Sequence, residues 1–320
     1  MLSQNISLVM EPKINWNSAC LIGLGNHSQK KLLPALDLIY GDKISIISRN
    51  PSKISSKYKH FYNLHESFKY LSKRTCYIIA TPPKTHFSLA KKILESGRDV
   101  LVEKPSFFLV EELKILKQIA ISKELVLAEM FMYLENESTK EIQKKIDRNL
   151  YNLNSIDITF TIPSIPKNTY RNEKSIENSV ISDMGCYAFS LLANLNISMD
   201  NLDCKRFNNN NNFIFYKIFN KKNPSINISI GSTGIYQNFI RLNFKDKTGF
   251  EISPFFYGVE GYKKEISIHK DILNMKLIYD KNGFVKLFAK SRNSWIEDQE
   301  DRFCKMAKVI KIFEKFSYLF

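Results

Sequence analysis

The chain is short of cysteine, histidine and acid. Its five cysteines, Cys20, Cys76, Cys186, Cys204 and Cys304, are scattered over 320 residues with no C-x-x-C pair, and its five histidines form no cluster at ligand spacing. This excludes a disulfide framework and a zinc-finger array; it predicts reduced thiols in a cytoplasm and no metal site. No apolar run approaches the ~18 residues that a membrane span requires, so no membrane partner is expected. The first 20 residues lack the charged-then-apolar order of a secretory signal. With 32 acidic against 47 basic side chains, the formal net charge is +15. The lysines are spread along the whole chain, interleaved with Asn and Ile, and there is even a run of asparagines from Asn208 to Asn212. They form no aromatic-basic stripe and no helix-turn-helix pattern. The charge therefore reads as a compositional bias on solvated positions, and no nucleic-acid partner is expected.

What is present is alternation. Hydrophobic content of 44% supports real cores, and 320 residues allow one large domain or two ordinary ones. Strands are expected at 19–22, 43–48, 75–80, 99–102 and 125–128, with helices at 29–39, 65–73, 85–96 and 109–122 and a short one after Arg49-Asn50-Pro51. Gly97 suits a helix C-cap. Strands alternating with helices and joined by right-handed crossovers predict an α/β fold: a doubly wound parallel sheet over 1–130, behind an irregular leader 1–17. Past residue 130 the pattern changes. A helix at 137–149 is followed by β-branched and aromatic runs at 155–162, 213–219, 225–231, 237–244 and 250–253. An α+β domain over 131–320 is expected, with a largely antiparallel sheet, one helix at 184–196 and a C-terminal helix at about 295–316.

The residues that carry chemistry fall on this frame. Gly23-Leu24-Gly25-Asn26-His27-Ser28 follows the first strand and holds two glycines of G-x-G-x-x-G. Gly23 permits the tight turn, and Gly25 lets backbone approach a pyrophosphate resting on the helix N-terminus. Ser28 replaces the third glycine and is small enough for close helix packing. The second strand ends in Ser48-Arg49, with no acid for a ribose hydroxyl. A carboxylate would repel a 2′-phosphate, whereas a guanidinium clamps one; NADP(H) is favoured and NAD(H) remains possible. Thr81, Pro82 and His86 follow the strand 75–80 at the edge where such sheets bind ligands, although a lone histidine there is more often a packing residue. Val100 to Glu103 runs into Lys104-Pro105, so a strand end delivers the lysine to a fixed place; Glu103 orients it or simply pairs with it. Asp183 and Tyr187 are four apart in a helical pattern and share a face. A lysine beside a tyrosine is a proton-transfer pair in principle, because an ammonium favours the phenolate.

The order G-x-G, Thr81-Pro82-Pro83-Lys84-Thr85-His86, Glu103-Lys104-Pro105 and Asp183-Met184-Gly185-Cys186-Tyr187 resembles the Gfo/Idh/MocA oxidoreductases over nearly the whole chain. Glu129-Met130-Phe131-Met132-Tyr133 is similar to the family's segment after the last Rossmann strand. The tyrosine resembles the branch holding dTDP-sugar 3-ketoreductases, glucose–fructose oxidoreductase and dihydrodiol dehydrogenases. The resemblance implies hydride transfer between nicotinamide and a sugar, with Lys104 polarising the reacting oxygen, Tyr187 passing the proton and Asp183 positioning both. It implies a small-molecule sugar substrate and pairing of copies, as dimer or tetramer, through the second-domain sheet. Other substrates within reach are a free polyol, a free sugar or a dihydrodiol; a non-catalytic cofactor sensor is the rival of a different class. Glu177-Asn178-Ser179 stands where relatives have a glycine-rich segment, which leaves the sugar open. Arg171, in the preceding loop, is a candidate to meet an anionic substrate.

Overall fold

In a computed structural model, residues 16–50, 54–165, 174–208, 213–256, 263–269, 274–279 and 282–320 are described, the strands at 263–269 and 274–279 by their backbone. Residues 1–15 of the expected leader and Arg171 lie outside them. Trp16 does not belong to an irregular leader: it is buried, and its indole donates to the Asp99 carboxylate at 2.6 Å.

Six short runs form one parallel sheet: β1 (Ser18–Ile22), β2 (Ile44–Ile47), β3 (Lys59–Phe61), β4 (Thr75–Ile79), β5 (Val100–Glu103) and β6 (Leu127–Met130), in the spatial order β3-β2-β1-β4-β5-β6. Most of these residues are buried on both faces, which is why they read as continuous apolar runs. The crossovers are α1 (Leu33–Tyr40), α2 (Leu64–Tyr70), α3 (His86–Glu95) and α4 (Val110–Ser122). A π-helical turn, Ser28–Leu32, leads into α1. Pro34 has no N–H to continue the i→i−4 ladder, and the Leu33 N–H bonds back to Ser28 instead.

Two expectations fail here. Residues 54–58 are not helical; the chain makes turns and then the edge strand β3, whose three residues are too few to show a period. The last strand starts at Leu127, not Leu125, because the Leu125 N–H still bonds to Ala120 O (2.8 Å) at the end of α4.

After α5 (Glu137–Asn149) comes β7 (Leu153–Ile162), then α6 (Val180–Asp183), a helical turn that the sequence pattern did not indicate, and α7 (Gly185–Asn194), the helix expected at 184–196. Next are β8 (Asp203–Asn208), β9 (Ile214–Asn220), β10 (Ser225–Ser232), β11 (Gln237–Phe244), β12 (Gly249–Ser253), β13 (Lys263–His269) and β14 (Asn274–Tyr279). The eight strands are ordered β14-β13-β12-β11-β7-β10-β9-β8, all antiparallel except the β7–β10 pair. Strand β8 and the pair β13–β14 escaped the sequence pattern; β8 is largely polar, with Asp203, Lys205 and Arg206 in it.

The C-terminal segment is α8 (Gly283–Phe288), α9 (Arg292–Glu297) and α10 (Gln299–Phe316); α10 is the helix expected at about 295–316, and it starts later because Arg292–Glu297 forms the separate α9. It crosses back to the first sheet. Phe303, Met306 and Ile310 of α10 join the core on one face, and Phe284, Leu287, Phe288 and Trp295 join the core on the other. The Gln299 side-chain amide donates to Leu125 O (3.1 Å) and accepts from Leu127 N (3.0 Å), pairing with the β6 edge as another strand would. Arg292 grips Asp99 through Nε at 2.7 Å. Among the described residues no helix is long and apolar enough to cross a membrane.

Candidate active site

The sheet reverses direction of growth between β1 and β4, and their carboxyl ends leave a crevice there. Gly23 closes it from below. Its φ is +95°, and a Cβ at this position would lie 2.7 Å from the Ala80 carbonyl, so only glycine fits. Gly25 differs: a Cβ there would meet nothing within 4 Å, so its backbone faces open space. That is the cradle a pyrophosphate needs, and a side chain would fill it. Asn26 and His27 are exposed at the mouth, while Ser28 is buried under the helix start. Ser48 and the exposed Arg49 follow β2 on the same edge, where the Ser48 hydroxyl accepts the Asn50 N–H (3.2 Å). His60 of β3 places Nε2 2.9 Å from Ser48 O, a neighbour that no motif had indicated. These residues fit a dinucleotide lying over Gly25 with its adenosine end toward Ser48 and Arg49.

Beyond β5 three side chains converge on one turn. The peptide Lys104–Pro105 is cis. The Glu103 carboxylate accepts the Lys104 N–H (3.1 Å) and faces His27 Nε2 across the crevice mouth (3.2 Å). Glu129, on the neighbouring strand β6, accepts the Ser106 N–H at 2.8 Å. His86 is buried, with Nδ1 at 3.1 Å from Pro105 O and Nε2 at 2.9 Å from Thr81 O. Burial pushes its pKa down; the three carbonyls and Glu103 oppose this. His86 thus ties the Thr81–Pro82 loop to the lysine turn. Both of its ring nitrogens are engaged by backbone.

The second domain meets this turn through α6 and α7. Ser179 caps α6, its hydroxyl accepting the Ser182 N–H (3.1 Å), and this sets Asp183 at the end of a single helical turn. Lys104 Nζ donates to Asp183 O (2.9 Å) and to Asp183 Oδ1 (3.0 Å), with the carboxylate side chain almost wholly buried. The same ammonium stands 4.6 Å from the centroid of the Tyr187 ring. The Tyr187 ring is surrounded by Phe131, Tyr133, Phe160 and Phe256, all with centroids within 5.9 Å. This burial pushes the phenol well above its ordinary pKa, and the Lys104 charge pulls the other way. The Tyr187 hydroxyl reaches Met132 Sδ at 3.9 Å.

The structure therefore brings Lys104, Asp183 and Tyr187 together from three elements, next to Glu103 and His86 and beside the Gly23–Ser28 cradle. The sequence did not single out the aromatic enclosure or Glu129 as site residues. The signals were the resemblance of Glu129–Tyr133 to the segment after the last Rossmann strand and the alternation Glu129, Phe131, Tyr133 within it.

A parallel sheet in this strand order with a glycine cradle at its switch point is the arrangement of a dinucleotide-binding domain, and the lysine–aspartate–tyrosine cluster lies beside it. Residues 18–131 match the model of the Gfo/Idh/MocA group, described as an oxidoreductase family with an NAD-binding Rossmann fold. Among curated proteins none matches it. Solved structures share its fold over both domains. KijD10, a 3-ketoreductase from Actinomadura kijaniata in complex with NADP and TDP-benzene, is 16% identical with a TM-score of 0.74, covering 94% of this chain and 98% of its own. The putative oxidoreductase yvaA of Bacillus subtilis gives 14% and 0.72, covering 94% and 95%. The aldose–aldose oxidoreductase of Caulobacter crescentus, complexed with glycerol, gives 12% and 0.72, covering 95% and 98%.

Proposed function

We propose that this protein reduces a keto-sugar, carried on a nucleotide, with NADP(H) as cofactor and with Lys104 and Tyr187 as its proton-handling pair. One observation carries the reading: Lys104 Nζ, fixed by Asp183 at 2.9 and 3.0 Å, lies over the face of a tyrosine enclosed by aromatic rings. When bound, the nicotinamide supplies the hydride. The chain's own residues do the rest. Asp183 holds the ammonium at one point, from which it polarises the carbonyl oxygen. Burial keeps the Tyr187 phenol protonated, which is the form a general acid must have. It gives its proton to the oxygen, and the nearby ammonium stabilises the phenolate left behind. Phe131, Phe160 and Phe256 keep water from the site. Ser48 and Arg49 favour the 2′-phosphate, and the NADP and TDP groups bound to KijD10 support cofactor and substrate class alike.

The aldose–aldose oxidoreductase supports a second reading, a free sugar. A sensor without turnover would have no need of both Lys104 and Tyr187. Reduced cysteines are consistent with a cytoplasmic enzyme, since Cys20, Cys76 and Cys186 are buried and free. Pairing through the open face of the second sheet belongs to the same reading. On that face Asp157 takes amide hydrogens from Asn227 and Asn243, both at 3.0 Å. Sedimentation as a monomer at micromolar concentration would remove it.

The test is turnover of a panel of TDP-linked keto-sugars, free aldoses and polyols with NADP(H). Tyr187→Phe keeps the ring and loses the hydroxyl; it is expected to lower kcat ~10²- to 10⁴-fold and leave NADPH binding intact. Lys104→Ala is expected to be at least as severe. A Tyr187→Phe enzyme with near-normal turnover refutes the assignment.

A further inference from the structure

We propose that Glu129 is a positioning residue for Lys104: its carboxylate holds the Lys104-Pro105-Ser106 turn through the Ser106 N–H, and the lysine reaches Asp183 and the substrate oxygen only while that clamp is made. The inference rests on the reading of Lys104 given above.

The geometry is a relay through backbone. Glu129 sits on β6 in register with Val102 of β5, one residue before Glu103 and two before the lysine. Its Oε1 accepts from Ser106 N at 2.8 Å, while Glu103 Oε2 accepts from Lys104 N at 3.1 Å. Two carboxylates on adjacent strands thus hold the two N–H groups that flank Pro105, which has none to offer. His86 holds the carbonyls of Pro105 and Ser106 from the other side, at 3.1 and 3.2 Å. With both faces of the turn held, the direction in which Lys104 leaves the strand is fixed. Catalytic groups misplaced by about 1 Å lose ~10²-fold, so a clamp on the turn is a clamp on the rate.

Glu129 also borders a cavity of about 40 Å³ lined by Phe131, Ser190, Asn194, Arg302 and Lys305, between the end of β6, α7 and α10. That volume takes at least one water molecule, which gives the carboxyl a route to exchange its proton without passing through the substrate pocket. The titratable and charged groups around it are Glu103 and Lys104 from the β5 side, Tyr133 after β6, Cys186 on α7, and Arg302 and Lys305 on α10. Burial raises its pKa to about 7; the Ser106 N–H and Lys104 pull it down, and Glu103 adds to the rise. An ionised carboxylate accepts the Ser106 N–H about twice as strongly as a neutral carboxyl. The clamp is consequently tightest above pH ~7 and loosens below it. His86 does not produce the same limb, because burial sets its pKa below the ordinary histidine value.

The experiment pairs the wild type with Glu129→Gln, which keeps a carbonyl for Ser106 and loses the titration. Holoenzyme loaded with NADPH is followed by amide NMR from pH 5.5 to 8.5. Turnover of a TDP-linked 3-keto-hexose is measured over the same range. The expected result is a Ser106 amide shift that titrates near pH 7 in the wild type and is flat in Glu129→Gln. In parallel, the acid limb of kcat near pH 7 is expected to disappear in the variant, with KM for NADPH unchanged. Glu129→Ala, with no acceptor, is expected to lose a further ~10-fold or more in kcat. A Ser106 amide that does not titrate in the wild type, or a Glu129→Gln profile superimposable on the wild type, overturns the proposal. The NMR arm needs no substrate, so it judges the clamp even where the sugar class is wrong. Normal turnover by Lys104→Ala refutes the catalytic reading instead, independently of the amide shift.

Discussion

Arg49 and Ser48 show how much one pair of side chains is asked to decide. Both cofactors offer the same nicotinamide and the same pyrophosphate; they differ by a phosphate on the adenosine ribose. At the end of β2 the chain presents a hydroxyl and a guanidinium and no carboxylate. A charge-assisted clamp of that kind contributes roughly 1.5–3 kcal/mol, or ~10- to 100-fold in affinity. Arg49→Ala is therefore expected to weaken NADPH by about that factor and to leave NADH nearly unchanged, as read by quenching of nucleotide fluorescence. Equal losses for the two cofactors would assign Arg49 to general electrostatics and end the NADP argument. The residue scale also shows where spacing misleads. Asp183 and Tyr187 both meet Lys104, but they belong to two helices separated by Met184, so the four-residue spacing is not what brings them together. Tyr187 also meets the lysine with its ring face.

At the scale of elements, the glycine turn separates fold from function. Gly23 follows β1 directly, its N–H bonded to Ile47 O of β2 (3.0 Å) and its Cα against Ala80 after β4, with φ +95° and no room for a Cβ. Gly25 has room and lies in the mouth. The two alanine variants should therefore part company. Gly23→Ala carries a backbone penalty of ~1–3 kcal/mol plus a clash with Ala80, and thermal unfolding is expected to fall markedly. Gly25→Ala is expected to unfold within ~1 kcal/mol of the wild type while losing at least ~10-fold in NADPH affinity, because its methyl occupies the cradle. Intact cofactor binding in Gly25→Ala would show that the pyrophosphate lies elsewhere. The strands also explain which elements were legible. Runs such as Cys76-Tyr77-Ile78-Ile79 are buried on both sides and announce themselves. β3 and β8 are a three-residue edge and a largely polar strand, held by their neighbours' hydrogen bonds and by little of their own composition.

At the scale of the molecule, the two halves of the chain are not independent. Phe284, Leu287, Phe288 and Trp295 complete the core on one face of the first sheet, and Phe303, Met306 and Ile310 complete it on the other. At ~1.5–3 kcal/mol for each buried side chain, their combined burial is as large as the whole ~5–15 kcal/mol net stability of an ordinary domain. Gln299 and Arg292 add polar anchors at the β6 edge and at Asp99. A fragment ending near residue 135, although it contains all six strands, is expected to lack a cooperative thermal transition by circular dichroism. A sharp transition in that fragment would show that the C-terminal helices merely rest on a finished domain. The crossing back has a consequence for the site: it holds α7, which packs on α10, against the Rossmann domain, and α7 carries Tyr187.

The alternation of strands and helices, the glycine turn, the absence of an acid after β2 and the lysine at a strand end were all legible in the chain. Each of these is a local matter, written in periodicity or in a residue type that only one backbone conformation or one charge pattern accommodates. Tertiary structure decided the rest. Lys104 and Asp183 are 79 residues apart and touch only because α6 docks on the end of β5. His86 became a tie between two loops because burial left its nitrogens no other partners. Glu129 falls just past the strand that the sequence pattern indicates, and only its place on β6, with the burial its neighbours impose, turns it into a clamp. Contacts formed between residues far apart in the chain, and the desolvation that accompanies them, leave no trace in local pattern, and the chemistry of this site depends on both.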